Sequence, residues 1–407
     1  MKILVINTGS SSLKFRLFDM QGLVRLASGL VERIGEADGR TLLRYQPPSG
    51  DGEEQIERRL RIADHGRAME EMLALLGESG LLAHAGELAG IGHRVVHGGE
   101  TFHEPVRIDD RVLEAIAELV PLAPLHNPAN LVGIRAAMAR AADVPQVAVF
   151  DTAFHQALPE HAYLYGLPFH LYEEHRIRRY GFHGTSHGFV SRQAAAFLGR
   201  PYGALNSITL HLGNGASAAA IRGGRCVDTS MGLTPLEGLL MGTRSGDLDP
   251  AILLYLARET GMDIDGLDDL LNRKSGLRGI CGDNDMRAII GRAAEGDGRA
   301  ALALRIFCYR IKKYIGAYTA VLGRVDCLVF TGGIGENAAV VRETACRDLE
   351  HLGIVLDRER NQHQGPAIRP IHHESSDVSI LVVPTNEELE IARQVVQVLS
   401  SPKVHTP

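Results

Sequence analysis

Ile3-Leu4-Val5-Ile6-Asn7-Thr8-Gly9-Ser10-Ser11-Ser12-Leu13-Lys14-Phe15-Arg16-Leu17 reads as a strand, a tight turn and a returning strand. An apolar run ends in small polar residues, and Leu13, Phe15 and Leu17 then alternate with Lys14 and Arg16, the period of a half-buried strand. The pattern returns at Ser207–Leu212, which ends in Gly213-Asn214-Gly215-Ala216-Ser217 before a second strand through Ile221. Aligning Val5–Ser11 with Leu210–Ala216 gives the same order twice. A repeat separated by half the chain is too long for a solenoid and predicts a duplicated supersecondary unit.

Working outward, Thr41–Gln46 and Gln55–Ile62 predict another hairpin around Pro47-Pro48-Ser49-Gly50-Asp51-Gly52. Met69, Met72, Leu73 and Leu76 follow helical spacing, with Gly77 as the stop. Val112–Val120 predicts a helix ended by Pro121, and Asn127-Pro128 an N-cap with proline at the first helical position. Strands are expected at Gln146–Phe150, Leu328–Thr331 and Ile380–Val383, and helices at Pro250–Glu259 and Arg299–Leu322. The closing helix carries a capping box, Thr385 with Glu388, and an apolar face of Ala392, Val395, Val396 and Leu399. Two α/β halves predict a ligand cleft between them.

The bulk numbers exclude several classes. The 407 residues are enough for two or three domains. A balance of 43 basic against 49 acidic residues offers no basic surplus for nucleic acid. Five Cys without a Cys-x-x-Cys argue against a disulfide framework or a zinc ribbon and for free thiols. Four apolar residues before Asn7 are too few for a signal peptide, and no apolar run is long enough for a membrane span. A cytoplasmic protein is expected.

Three glycine-rich turns follow short apolar strands: Gly9–Ser12, Gly213–Ser217 and Gly332–Asn337. Such turns offer backbone N–H groups to phosphate oxygens, though each alone reads equally as a β-turn. There is no G-x-x-x-x-G-K-[ST], and no G-x-G-x-x-G in a βαβ setting, so P-loop and dinucleotide chemistry are not expected. The hairpin context points to the actin-like style of nucleotide binding. Arg94 and Arg244 sit among small residues, where an arginine fork can meet a carboxylate or phosphate, or simply a surface ion pair. Asp151 ends a strand, and His183 lies in Tyr180-Gly181-Phe182-His183-Gly184-Thr185-Ser186-His187, beside glycine as many structural histidines are. Glu387 opens the last helix, where a carboxylate suits the helix dipole or a water-keeping Mg²⁺.

Together these runs resemble the acetate kinase family of the acetate-and-sugar-kinase, Hsp70 and actin group. The matching stretches are Asn7–Phe15, His93–Gly99, Pro124–Pro128, Phe150–His155, Tyr180–His187, His211–Ser217, Asp228–Gly232, Gly242–Asp247, Phe330–Asn337 and Pro384–Glu387, in family order across the whole chain. The resemblance implies an α/β fold of two duplicated actin-like (ribonuclease H-like) domains with the active site in the interdomain cleft. Residues 1–150 with 386–407 would form one domain and 151–385 the nucleotide-binding one. It implies reversible transfer of the ATP γ-phosphate to acetate, giving acetyl phosphate and ADP, with Mg²⁺ (or Mn²⁺), in a homodimer. By position, Asn7 and Glu387 would hold the metal. Lys14, His211, Leu212, Gly213, Asn214, Gly215, Asp285, Met286, Arg287, Gly332, Gly333, Ile334, Gly335 and Glu336 would contact ATP. Arg94 would bind the carboxylate, His183 and Arg244 the transferring phosphoryl group, and Asp151 would be the essential carboxylate. Val96, Leu125, Phe182 and Pro235 would line the acetate pocket. The Gly279–Arg287 loop departs from the family pattern in being slightly shorter, with Cys281 where Ser is usual.

A carboxylic acid ionises near about pH 4 to 5, so the acceptor needs no base at neutral pH. Asp151 is therefore expected to orient a metal-bound water, or Arg94 or Arg244. The rival readings are a propionate kinase and, from another class, an actin-like ATPase used as a binding module. The long apolar-striped helix Arg299–Leu322 offers a dimer contact, though a core helix would carry the same stripe.

Overall fold

The computed structural model describes residues 1–47, 50 and 52–401 and divides into two compact units, Met1–Ala153 with Asn386–Pro407, and Phe154–Thr385. In the first unit, β1 (Lys2–Thr8), β2 (Ser12–Asp19), β3 (Val24–Glu32), β4 (Gly39–Tyr45) and β5 (Glu54–Leu60) form an antiparallel meander. Then β6 (Leu88–Val95) joins β1 in parallel, β8 (Gln146–Phe150) joins β6 in parallel, and β7 (Val106–Arg107) closes the edge. The order is β5-β4-β3-β2-β1-β6-β8-β7.

The second unit contains β9 (Asn206–Leu212), β10 (Ala216–Arg222), β11 (Arg225–Thr229), β12 (Cys327–Thr331), β13 (Arg369–Pro370) and β14 (Ser379–Val382). Their order is β11-β10-β9-β12-β14-β13. Here too a three-stranded antiparallel meander is followed by two parallel strands and an antiparallel edge strand. The second sheet thus repeats the first without β4 and β5, which establishes the duplication expected from the two strand-turn-strand runs.

Both faces of β1 are covered, which is why Ile3–Ile6 is a continuous apolar run rather than an alternating one. Leu4 and Ile6 pack with Met69, Met72 and Leu76 of the helix His65–Glu78, while Ile3 and Val5 pack with Ile391, Ala392 and Val395 of the closing helix Glu387–Ser400. Burying each such side chain contributes about 1.5–3 kcal/mol. The closing helix lies against β6 at Gly92, where a Cβ would come within 2.7 Å of Val395 and 2.8 Å of Ile391.

Several local expectations need correction. The helix His65–Glu78 runs past Gly77 to a cap at Ser79. Asn127 is not the N-cap; the helix Asn127–Arg140 begins after His126, and the Asn127 side chain bonds both backbone groups of His97 instead. The box of Thr385 and Glu388 does not form. Asn386 caps the closing helix by accepting from Leu389 N, and Glu388 pairs with Arg16 at 3.1 Å. Gly332–Asn337 is a short helix rather than an open turn. The hairpin at Thr41–Ile62 forms, but its turn falls partly outside the described residues. Strands β3, β6 and β11 and the helix Gly184–Phe197 were not anticipated.

Candidate active site

In the first unit, parallel β6 and β8 deliver Arg94 and Asp151 to the carboxyl ends of two neighbouring strands, with Asp151 N donating to Val95 O at 3.0 Å. Asp151 is 1 % exposed and accepts two-pronged from Arg94: Nε to Oδ1 at 3.0 Å and Nη2 to Oδ2 at 2.6 Å. Burial opposes the Arg94 charge, but Asp151 and Glu387 outweigh it and hold its pKa above the ordinary value. The sequence reading gave Arg94 to a substrate carboxylate; in the structure its Nε and Nη2 are engaged by a protein carboxylate. Nη1 makes no hydrogen bond among the described residues.

The loop that follows β6 is pinned by three bonds, two to the helix Asn127–Arg140 and one to Thr152. Val96 N donates to Asn130 Oδ1, His97 N to Asn127 Oδ1 and Gly98 N to Thr152 Oγ1. Val96 is half-buried, and Leu125 is 48 % exposed. Glu387, the first residue of the closing helix, interacts electrostatically with Arg94 and Asp151, and burial raises its carboxyl to about 7. Asn7, one residue before the end of β1, pairs with Lys14. Lys14 is exposed and lines a groove of about 230 Å³ with Asn7, Arg16 and Arg44.

In the second unit, His183 has φ +57° and precedes the helix Gly184–Phe197. Its ring stacks on His211 at 4.3 Å. A Cβ on Gly215 would meet His183 at 3.4 Å and Arg244 at 3.7 Å, so the three converge. Arg244 Nη1 donates to Pro235 O at 2.9 Å, and burial lowers the Arg244 pKa. Phe182 is 2 % exposed, and its carbonyl accepts from His155 at 2.9 Å.

A cavity of about 820 Å³ brings together seven residues singled out from sequence: Gly213, Asn214, Asp285, Met286, Arg287, Gly333 and Ile334. Its size lies within the range of small-ligand and cofactor sites. Ile290, Ala338 and Gln364 also line it and were missed, while Asn284 and Asn337 fall inside the Gly279–Arg287 and Gly332–Asn337 runs without having been named as contacts. Ile290 was findable as the helical i+4 neighbour of Met286. His211, Leu212, Gly215, Gly332, Gly335 and Glu336 are not among its lining. Leu212 is fully buried, and Glu336 Oε1 accepts from Gly332 N and Thr385 N, both at 3.0 Å. Gly332 has φ +76° and would place a Cβ 2.7 Å from Leu212 O, so only glycine fits that turn.

Two sheets of one topology and a cofactor-sized cavity beside a glycine-rich strand end suit a phosphotransferase, and the comparisons with known proteins agree. The chain belongs to the acetokinase family, whose family model matches residues 2–393. It is 55% identical over 400 residues to an acetate kinase of Syntrophobacter fumaroxidans, covering 98% of this chain and 97% of that one. It is 58% identical to one of Streptomyces avermitilis, covering 97% and 96%. The solved acetate kinase of Porphyromonas gingivalis superposes with TM-score 0.92 at 44% identity, covering 98% of this chain and all of that one. A propionate kinase of Francisella tularensis superposes with TM-score 0.90 at 42% identity, covering 97% and 98%. The chain is therefore a phosphotransferase, and its family implies ATP and a divalent metal. Among the described residues no helix is long and apolar enough to cross a membrane.

Proposed function

We propose that the chain transfers the γ-phosphate of ATP reversibly to acetate, giving acetyl phosphate and ADP. A carboxylate oxygen of acetate attacks the γ-phosphorus in line, the bond to the bridging oxygen breaks, and its electron pair leaves with ADP. No proton moves, because the acceptor is already ionised. Catalysis is then alignment and charge neutralisation. The observation that carries the reading is the Arg94–Asp151 clamp, a cation held rigidly at the carboxyl ends of β6 and β8 with donor capacity left over. Arg94 would take the acetate carboxylate, with Val96, Leu125, Phe182 and Pro235 setting its size. Arg244 and His183 would neutralise the transferring phosphoryl group. The 820 Å³ cavity would take the adenosine end, and Lys14 would contact phosphate.

Asn7 and Glu387 are hard oxygen donors that suit Mg²⁺ (or Mn²⁺), and a buried carboxyl held near pH 7 beside Asp151 fits a cation. Among the described residues no three His, Cys, Asp or Glu side chains form a cage, which agrees with a metal that keeps most of its waters. When bound, the metal would neutralise charge on the phosphate oxygens. A cytoplasmic homodimer is part of the proposal; exposed Leu302 and Tyr309 on the helix Gly298–Leu322 support the contact, and sedimentation tests it.

A hydroxamate assay with acetate and ATP tests the activity; absence of acyl phosphate would sink it. The same assay with propionate separates acetate from propionate preference. Val96→Ala should raise the propionate to acetate ratio of kcat/KM by about tenfold or more, the worth of one methylene. An unchanged ratio removes Val96 from the pocket.

A further inference from the structure

A chain of hydrogen bonds runs through the second unit to His183. Thr209 Oγ1 meets His187 Nδ1 at 2.7 Å, His187 Nε2 meets Ser217 Oγ at 2.8 Å, and Ser217 Oγ meets His183 Nδ1 at 2.9 Å. Thr209, His187 and Ser217 are all fully buried. Each oxygen carries one proton to give, and with both rings neutral two directions remain: two rings donating to Ser217 would leave its own buried proton without an acceptor among the described residues, and two rings accepting from it would leave one contact without a proton.

In one direction Thr209 donates to His187, His187 donates from Nε2 to Ser217, and Ser217 donates to Nδ1 of His183. Every hydroxyl proton is then used. In the other, His183 donates to Ser217, Ser217 to His187 and His187 to Thr209. That leaves the Thr209 hydroxyl proton with no acceptor, because among the described residues Thr209 Oγ1 bonds only to His187. A buried donor left unmade is expensive, whereas a spare hydroxyl lone pair costs little.

We propose that Thr209, His187 and Ser217 form a one-way proton-donor relay that fixes His183 as the neutral Nε2–H tautomer. Three are thus positioning residues for a fourth. The relay leaves Nε2–H as the donor on the far edge of the ring, the edge near Gly215, where a Cβ would lie 3.5 Å from Nε2. The groups that face His183 agree with neutrality. Its ring stacks on His211, Arg244 lies across Gly215, and a cationic imidazole would be repelled by that arginine. His187, edge-on to His155 and His211, is kept uncharged by burial, so it cannot donate from both nitrogens at once.

The functional consequence rests on the phosphoryl-transfer reading above: His183 would serve the phosphoryl oxygens as a neutral donor. The relay itself does not, and its test is separate. Nitrogen NMR of the substrate-free, histidine-labelled full chain reads the tautomer directly. The expected wild-type result is a bare, imine-type Nδ1 on His183 with the proton on Nε2. Ser217→Ala should give His183 a mixed tautomer, lower kcat about tenfold and leave the KM for acetate nearly unchanged. Ser217→Thr, which keeps the hydroxyl, should restore the tautomer. A protonated Nδ1 in the wild-type spectrum overturns the relay even if every variant misfolds, as does an unaltered tautomer in Ser217→Ala. If the hydroxamate assay fails while the tautomer is as expected, the kinase reading is lost and the relay stands.

Discussion

At the scale of the residue, Asp151 was legible as a carboxylate at a strand end, but its partner was not. Nothing between Arg94 and Asp151 in the sequence says that β6 and β8 are parallel neighbours, and that pairing alone brings the two together. Of the roles open to Asp151, the two-pronged contact supports the one in which it orients the Arg94 guanidinium. Asp151→Asn keeps the size and one acceptor oxygen but removes the charge. Loss of a fixed electrostatic donor of this kind costs on the order of 10²-fold in kcat, which is the fall expected here. Raised Mg²⁺ should not restore the rate, because the defect is in the aim of Arg94. Steady-state rates across a Mg²⁺ titration check this, and recovery at high Mg²⁺ would move Asp151 onto the metal.

Among the elements, strands announced by alternation were easy to see and β6 was hidden. Leu88–Val95 is broken by Gly90 and Gly92, which erase the apolar run. Those glycines admit the closing helix, so the packing that positions Glu387 also conceals the strand. The cap at Asn127 failed for a related reason. Capping is a local rule, and the Asn127 side chain is occupied by a loop 30 positions away. β6 also carries a pH sensitivity. His93 donates from Nε2 to Gln146 Oε1, and burial lowers His93 and His97 to about 4 each from 6.5. Both are depressed cations, so the unfolded chain binds more protons between those values. Their contribution is whole above pH 6.5 and is lost as pH falls toward 4, roughly 3 kcal/mol for each group. Denaturant unfolding from pH 7.5 downward should show stability dropping below about pH 6.5. His93→Gln, still able to donate to Gln146, should give a shallower slope; an identical slope would mean His93 is charged in the fold or contributes nothing.

For the whole molecule, the duplication was readable because turn chemistry is local and was written twice, at Asn7–Ser12 and Gly213–Ser217. The extra strands β4 and β5 that distinguish the first sheet were legible too, while β7 and β13 were too short to leave a pattern. The site residues sort by unit in a way the sequence order obscures. Arg94, Asp151, Asn7 and Glu387 belong to the first unit and the 820 Å³ cavity to the second. Nucleotide affinity and acyl-phosphate formation should therefore separate by mutation. Ile290→Asp places a carboxylate in the cavity lining and should weaken ADP binding by at least about tenfold, since the nucleotide would repel that charge and strip it of water without pairing it. Arg94→Ala leaves that lining untouched and should bind ADP within about twofold of wild type while making almost no acyl phosphate, because uniform binding and transition-state stabilisation are different interactions. Calorimetric titration with ADP beside the hydroxamate assay reads both quantities on the same preparations. Unchanged ADP affinity in Ile290→Asp would show that the nucleotide is not held in this cavity and would reassign the residues around Met286 to structure, while a loss in Arg94→Ala as large as in Ile290→Asp would make Arg94 a nucleotide contact.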